Sequence, residues 1–182
     1  MRNLIVALLV VFWFSVGWSQ ENYSLSSESK LTVDGTSTLH DWTVTANTCN
    51  GALVVDASVF KEISFDVEVG SIISTRGATM DKKTHNALKK EEHPKVMFSA
   101  ADVAFTTGDN QNISGKLNVA GVDKDVTLAA NIDNTASNIR ITGNYTITLQ
   151  DYNMKPPTAM FGPIVVGDDV TVNFDLVFAK DW

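Results

Sequence analysis

The 182-residue chain has one cysteine, four prolines and three histidines. A single cysteine excludes an intramolecular disulfide and any metal site built from several thiolates. None of the histidines stands at His-x-His or His-x-x-x-His spacing, so the sequence predicts no metal site. Basic residues are also few, with 14 Lys and Arg against 21 Asp and Glu and a net charge of -7. This balance argues against nucleic-acid binding, which depends on clustered basic side chains.

Long apolar runs are lacking too, except near the amino terminus. There Arg2 precedes an apolar run over residues 4–14, and the small residues Gly17 and Ser19 follow it. The run is about half of the ~20 residues that a membrane-spanning helix needs. A charged start, a short apolar stretch and small residues before a cleavage point are typical of a secretory signal peptide. We therefore predict a signal peptide at residues 1–19, cleaved after Ser19, and a single exported domain, periplasmic or secreted, at residues 20–182.

The exported part is dominated by alternation of apolar and polar residues. Ile63, Phe65 and Val67 alternate with Ser64 and Asp66, as in a strand with one buried face. The same alternation recurs at Ile113, Leu117 and Val119; at Val126, Leu128 and Ile132; at Ile139, Ile141, Tyr145, Ile147 and Leu149; and at Val170, Val172, Phe174, Leu176 and Phe178. About eight short strands of this kind are typical of an antiparallel sandwich or an up-and-down barrel.

Glycine-containing polar segments interrupt the strands. These turn signals are Asp34-Gly35, Asn50-Gly51 and residues 108–110, 121–123 and 167–169. The apolar phase also slips between residues 96–98 and 103–105, which predicts a β-bulge near Ala100 and Ala101. Bulges of this kind provide the bending that a closed barrel requires.

One segment departs from the alternating pattern. Residues 79–92 are rich in Lys, Ala, Leu and Glu, and Pro94 disfavours helical geometry at His93. We predict a short helix or an ordered loop here. The fold expected from the pattern is therefore an all-β antiparallel sandwich or barrel with one short helical insert.

Three stretches match the motifs of a known family. The first, residues 115–128 (GKLNVAGVDKDVTL), is similar to a hairpin of the form G-x-L-x-(I/V)-x-G-V-(T/D)-K-x-V-T-L. The second, residues 74–98, has a helical turn (DKKTH) followed by a His-Pro step and a strand that ends in Phe98. The third is the turn at residues 149–154 (LQDYNM), ahead of the closing strand. In these motifs, and in their order, the chain resembles the YceI-like family.

The resemblance implies a lipocalin-like barrel that binds a polyisoprenoid or another long-chain lipid. It implies a non-catalytic protein whose partner is a long apolar small molecule, with no cofactor apart from a carried isoprenoid, quinone or fatty-acyl lipid. The chain departs from the family at residues 87–92, where an aromatic-rich segment is usual, and at residues 37–42. Both departures fall where the family's barrel mouth tends to be.

Ten residues are candidates for ligand contact. His40 is predicted to enter the cavity and to bond a ligand head group, with a structural histidine as the alternative. Phe161, in a proline-stiffened loop over residues 151–163, is predicted to form part of a lid, with ordinary edge packing as the alternative. The remaining candidates would form the wall of a hollow barrel or the core of a filled one: Trp42, Phe65, Phe98, Leu117, Leu128, Ile147, Leu149 and Phe174.

Two other functions compete with lipid binding. An enzyme could use His40 or Cys49, but the sequence has no Gly-x-Ser-x-Gly elbow. Cys49, next to a predicted turn, is interpreted as a small buried residue. A small outer-membrane barrel would explain the aromatic carboxyl end at Trp182, whereas Asp175 and Asp181 in the last strand count against it.

Basic residues concentrate in one place. Lys82, Lys83, Lys89, Lys90 and Lys95 lie around the predicted helix of an otherwise acidic protein. They would steer anionic lipid head groups or a membrane surface toward the barrel mouth. The alternative is an ordinary solvated helix face, diluted by neighbouring glutamates.

Overall fold

A computed structural model describes residues 20–156, 158–159 and 164–181 of the chain. The predicted signal peptide lies outside these residues. The strands are β1 (Glu21–Leu25), β2 (Lys30–Ser37), β3 (Trp42–Ala46), β4 (Cys49–Asp56), β5 (Val59–Glu68), β6 (Ile72–Ser74), β7 (Lys95–Ala104), β8 (Gly108–Val119), β9 (Val122–Asn134), β10 (Asn138–Thr148), β11 (Thr158–Ala159) and β12 (Ile164–Lys180). Helix α1 spans Ala78–Ala87, and short 3₁₀ helices lie at Val69–Ser71 and Leu149–Tyr152.

Eight strand paths close into an up-and-down barrel. Three of these paths consist of two strands each. β1 and β2 both pair with β12, β4 pairs with β1 while β3 pairs with β2, and β5 pairs with β4 while β6 pairs with β3. The other five paths are the strands β7, β8, β9, β10 and β12, and each pair of neighbours is antiparallel. The predicted antiparallel barrel with one short helix is therefore confirmed.

The two ends of the barrel differ. At the end that we call the helix end lie α1, the loop between β2 and β3 and the hairpin between β8 and β9. The opposite end, the far end, is closed by packed side chains, among which Phe60 and Phe105 stack with ring centroids 4.0 Å apart. Leu53, Ile132 and Ile139 are almost completely buried there as well. Close packing of this kind fixes the diameter of the far end.

β1 pairs with β12 along a short seam at the far end, next to the longer pairing of β2 with β12. Only three residue pairs are in register there, from Tyr23 opposite Lys180 to Leu25 opposite Phe178. Lys180 Nζ donates to Glu21 Oε1 at 2.6 Å, and the Tyr23 hydroxyl donates to Glu21 Oε2 at 2.8 Å. These bonds lower the pKa of Glu21, and the one from Lys180 has the larger effect. Side chains thus reinforce the seam where the backbone ladder is short.

The predicted turn at residue 121 is a two-residue hairpin. Ala120 and Gly121 connect Val119 to Val122 and have φ values of 50° and 82°. Positive φ at both central residues is the type I′ geometry that matches the twist of antiparallel strands. The ring of His93 packs directly on Gly121, where a Cβ atom would lie 2.3 Å from the imidazole.

The other glycine signals do not mark turns. Gly35 and Gly51 lie inside β2 and β4, so the turns predicted there are wrong. Each glycine instead admits a large aromatic side chain against the strand, Trp42 at Gly35 and Phe178 at Gly51. The signals at residues 108–110 and 167–169 coincide with irregularities in the register of β8 and β12.

In β7 the inward-facing residues change from even to odd numbers, as predicted. The irregularity is at Asp102, one residue after the predicted position at Ala100 and Ala101. Ala100 and Phe105 are both buried, and between them Asp102 adopts a positive φ of 52°. Opposite it, Lys61 is the extra residue where the register of β4 and β5 shifts, and its ammonium contacts Asp102 at 2.8 Å. The irregularity therefore crosses two neighbouring strands at the far end.

The outer face of the barrel is polar. Lys116 pairs with Asp125 at 3.0 Å, and Arg140 holds Asp175 through two bonds of 2.7 and 2.6 Å. No helix in the described part of the chain is both long enough and apolar enough to cross a membrane.

The Arg140–Asp175 pair gives a testable pH dependence. The bond from Arg140 holds the pKa of Asp175 below its usual range. Its stabilising effect is therefore complete above that usual range, near pH 4, and is lost as the pH falls further. Because the pair is largely solvated, we expect Asp175→Asn to lower the free energy of unfolding at pH 7 by at most about 1 kcal/mol.

Urea unfolding at pH 7 and at pH 3 measures this effect. The matched control is Asp125→Asn, whose side chain is 89% exposed in the wild-type pair, and it should cause no measurable change. A loss in Asp175→Asn that is as large at pH 3 as at pH 7 would contradict the assignment.

Candidate functional site: an apolar cavity in the barrel

The interior of the barrel is hollow towards the helix end. The cavity has a volume of about 220 Å³, and the fully buried far-end residues Leu53, Phe60 and Ile139 do not line it. An engineered apolar cavity of about 150 Å³ stays dry and binds benzene. The space in this barrel is therefore large enough for part of a slender apolar molecule.

The cavity lining is almost entirely apolar. Among the described residues that line it, Trp42, Thr84 and Tyr145 alone carry a side-chain nitrogen or oxygen, and none is charged. Trp42 Nε1 donates to the backbone oxygen of Thr36 at 3.1 Å, and Thr84 Oγ1 donates to that of Met80 at 3.2 Å. A wall of this kind favours an uncharged apolar guest, because it has nothing to replace the hydration of a charge.

All eight residues that the sequence predicts for the wall line this cavity. They are Trp42, Phe65, Phe98, Leu117, Leu128, Ile147, Leu149 and Phe174. Alternation along the strands sends seven of these side chains to the inner face, and Leu149 follows directly after β10, in a 3₁₀ helix. Their contact with a ligand stays a prediction.

His40 does not enter the cavity. β3 begins at Trp42, so His40 lies in the exposed loop before the strand and does not continue the inward phase of that strand. The Ser37 hydroxyl donates to the His40 carbonyl oxygen at 2.7 Å, and the His40 imidazole contacts the guanidinium of Arg76. Phe161, the predicted lid residue, lies outside the described residues.

Helix α1 contributes part of the wall that the strand pattern did not indicate. Thr84, Ala87 and Leu88 line the cavity, and Met154 lines it from the segment after β10. The spacing of residues 84, 87 and 88 places them on one side of a helix. That spacing is the signal in the sequence that could have identified them.

Two side chains hold α1 against the edge of β6. Asp81 Oδ1 accepts from the Ser74 amide at 2.7 Å, and His85 Nε2 bonds the Ile72 carbonyl oxygen at 2.8 Å. In the described part of the chain β6 pairs with β3 alone, so these bonds satisfy backbone groups on its other edge. His85 therefore has a structural role at the rim of the cavity.

Cys49 is a half-buried residue at the start of β4, so the predicted turn position is wrong. Burial, and then the charge of Asp66, raise the pKa of its thiol to about 11. A thiol with this pKa is almost fully protonated near neutral pH and is a poor nucleophile.

The basic residues near α1 are only partly engaged. Lys95 pairs with Asp66 at 2.9 Å, and the side chain of Lys90 lies against Gly70. Lys82 is exposed on the helix. Both interpretations of this region, attraction of anionic head groups and a solvated face, stay predictions.

The arrangement is that of a closed up-and-down β-barrel with an apolar internal cavity, the architecture of small ligand-carrying barrels. The YceI-like domain model matches residues 23–178. The chain therefore belongs to the YceI-like family.

Solved structures share this fold at low sequence identity. Burkholderia cenocepacia BcnA is 17% identical with a TM-score of 0.69, over 82% of this chain and 96% of that one. A polyisoprenoid binding domain from Saccharophagus degradans, implicated in plant cell wall breakdown, is 14% identical with a TM-score of 0.67, over 87% and 98%. The Campylobacter jejuni YceI protein is 19% identical with a TM-score of 0.63, over 76% and 85%. None of the curated proteins is a significant match.

Packing of Trp42 on Gly35 makes a specific prediction. A Cβ atom at residue 35 would lie 2.1 Å from the indole, so Gly35→Ala must displace the ring. We expect a loss of about 1–3 kcal/mol in the free energy of unfolding. The same change in a Trp42→Ala background should cost much less, because the obstructing ring is absent. Denaturant unfolding of the four proteins measures the difference, and equal costs in both backgrounds would contradict this packing.

The raised pKa of Cys49 predicts slow alkylation. Near pH 8 the native thiol should react with iodoacetamide far more slowly than the same thiol in urea, whose pKa is about 8.5. The native rate should rise with pH towards about 11 as the thiolate forms. Mass spectrometry of quenched samples measures both rates. Rapid native labelling at pH 7 would contradict the assignment and revive a role for a reactive thiol.

Proposed function

We propose that this protein is an exported, non-catalytic carrier that encloses a long apolar molecule, such as an isoprenoid, an isoprenoid quinone or a fatty-acyl lipid. The observation that carries the proposal is the hollow helix end of the barrel, whose described lining is apolar and uncharged. The Saccharophagus domain, a polyisoprenoid binding domain of the same fold, supports this class of ligand.

Burial of the ligand's hydrocarbon chain would supply the binding affinity. Each methylene removed from water is worth about 0.8 kcal/mol. A chain with eight buried carbons would thus gain roughly 6 kcal/mol before the cost of lost motion is counted. Binding by sequestration needs no covalent chemistry, and the guest leaves when a more apolar environment competes for it.

The charge distribution favours a neutral guest inside the barrel. A carboxylate or phosphate would have no cation beside it among the described lining residues, so an anionic head group would have to stay at the mouth. Arg76 and Lys82 are exposed at the helix end and would meet such a group there. We propose transient contact with an anionic membrane surface at this same end, since long-range attraction needs no built site.

Two observations favour a carrier over the competing functions. His40 lies outside the cavity, and the raised pKa of Cys49 leaves little thiolate, which disfavours an enzyme built on either residue. The ion pairs on the outer wall lie where an outer-membrane barrel presents apolar side chains to lipid. The predicted signal peptide supports export to the periplasm or the medium.

The carrier function can be tested by filling the cavity. Val172 lines the cavity in the middle of β12, and Val172→Trp should occupy the space that a guest needs. We expect lipid co-purification, measured by mass spectrometry of organic extracts, to fall at least tenfold. Uptake of polyprenols and quinones by the delipidated protein should fall in parallel.

The matched control is Thr171→Trp, the neighbouring position in β12, which does not line the cavity and contacts Thr146 instead. It should retain both lipid and uptake. Both variants must keep the far-ultraviolet circular dichroism of the wild type. The carrier proposal would be contradicted if the wild-type protein neither co-purified with lipid nor took up polyprenols or quinones.

A further inference from the structure

One polar group in the cavity wall is unused by the protein. Trp42 and Thr84 each donate to a backbone oxygen, whereas the hydroxyl of Tyr145 makes no hydrogen bond to any described residue. No unpartnered side-chain nitrogen or oxygen of the described residues is sealed off from solvent, so this hydroxyl is accessible to a guest. The described part of the wall therefore contains a single side-chain hydrogen-bond donor that the protein does not use.

The position of Tyr145 is well defined by the register of the barrel. On β10 it lies opposite Val172, and Val172 lies opposite Val33; all three line the cavity. The next inward position toward the helix end is Ile147, which lies opposite Val170. Tyr145 thus lies in the half of the cavity nearer the helix end, and Phe174 and Phe178 lie closer to the far end.

A second tyrosine lies close to it without competing for the cavity. Tyr152 is buried in the apolar cluster at the helix end and does not line the cavity. Burial raises the pKa of Tyr152 to about 12, and Tyr145 is the next contributor. The register of β10 places Tyr145 on the helix-end side of the cavity, where the polar end of a bound chain would lie.

We infer that Tyr145 is a specificity-determining residue, whose hydroxyl donates to a neutral carbonyl oxygen near one end of the guest. The barrel should then prefer long chains that carry an uncharged ketone, aldehyde or ester oxygen over hydrocarbons without oxygen. A carboxylate is disfavoured at this depth, because no charged residue of the described lining can balance it. This inference rests on the proposed function, since it assumes that an apolar chain enters the cavity.

The test compares two guests that differ in one oxygen. A long-chain methyl ketone and the alkane of equal length would each displace the neutral apolar dye N-phenylnaphthylamine from delipidated protein. In the wild type we expect the ketone to bind about fivefold more tightly, the usual net effect of one hydrogen bond. In Tyr145→Phe the ratio should fall to one or below, because the ketone oxygen is then buried without a partner, while the affinity for the alkane stays within about twofold.

Two controls use the same chemical change elsewhere. Tyr23→Phe removes a hydroxyl that bonds Glu21 at the seam, and Tyr152→Phe removes the neighbouring phenol outside the cavity lining. Both should keep the fivefold ratio, and all variants should show the melting behaviour of folded protein. An unchanged ratio in Tyr145→Phe, or a wild type without preference, would overturn the inference and leave the carrier function intact. Failure of the wild type to bind the dye and both guests would instead remove the carrier function on which the inference depends.

Discussion

The interior of an eight-stranded barrel has to be filled, because empty apolar space forfeits packing contacts. A barrel of this size has room either for its inward side chains alone or for one small guest with them. In this chain, side chains fill the far end, whereas the helix end is hollow. Stacked Phe60 and Phe105 pack the far end, whereas smaller aliphatic residues such as Val33 and Val172 leave space towards the helix end. The filled half keeps the wall rigid, so the hollow half can stay open without collapsing.

Breaks in three of the strand paths shape the open half. β5 ends at Glu68, opposite the first residue of β7, and the chain continues through a 3₁₀ turn into β6. β6 therefore has no residue of β7 beside it. The resulting gap in the wall beside β6 is occupied by α1, and Asp81 and His85 bond the edge of β6 in place of a neighbouring strand. A helix can therefore contribute Leu88 to the cavity lining without interrupting the barrel. The rim of the cavity depends on these two side-chain bonds and on apolar packing.

Sequence alternation predicted the strands and most of the cavity wall because in-and-out periodicity is a local property of extended chain. It failed where a local signal has a distant cause. Gly35 and Gly51 read as turns, but each is small because an aromatic ring from elsewhere lies against it. His40 shares its sequence parity with Trp42, yet β3 begins only at Trp42. The number of residues in a strand depends on its partners, which a single sequence does not display.

The cavity lining is uncharged, whereas the protein surface is charged, so the two would act on different steps of ligand binding. The whole chain has a net charge of -7, with basic residues such as Lys82 near the helix end, while the described lining of the cavity is uncharged. Surface charge acts over a Debye length of about 8 Å and therefore influences encounter with a lipid or a membrane more than retention. Retention depends on apolar contact, which is nearly indifferent to the identity of the chain. In the proposed carrier, discrimination between guests would come from the few directional groups in the wall, and Tyr145 is the described lining residue whose hydroxyl makes no hydrogen bond within the protein.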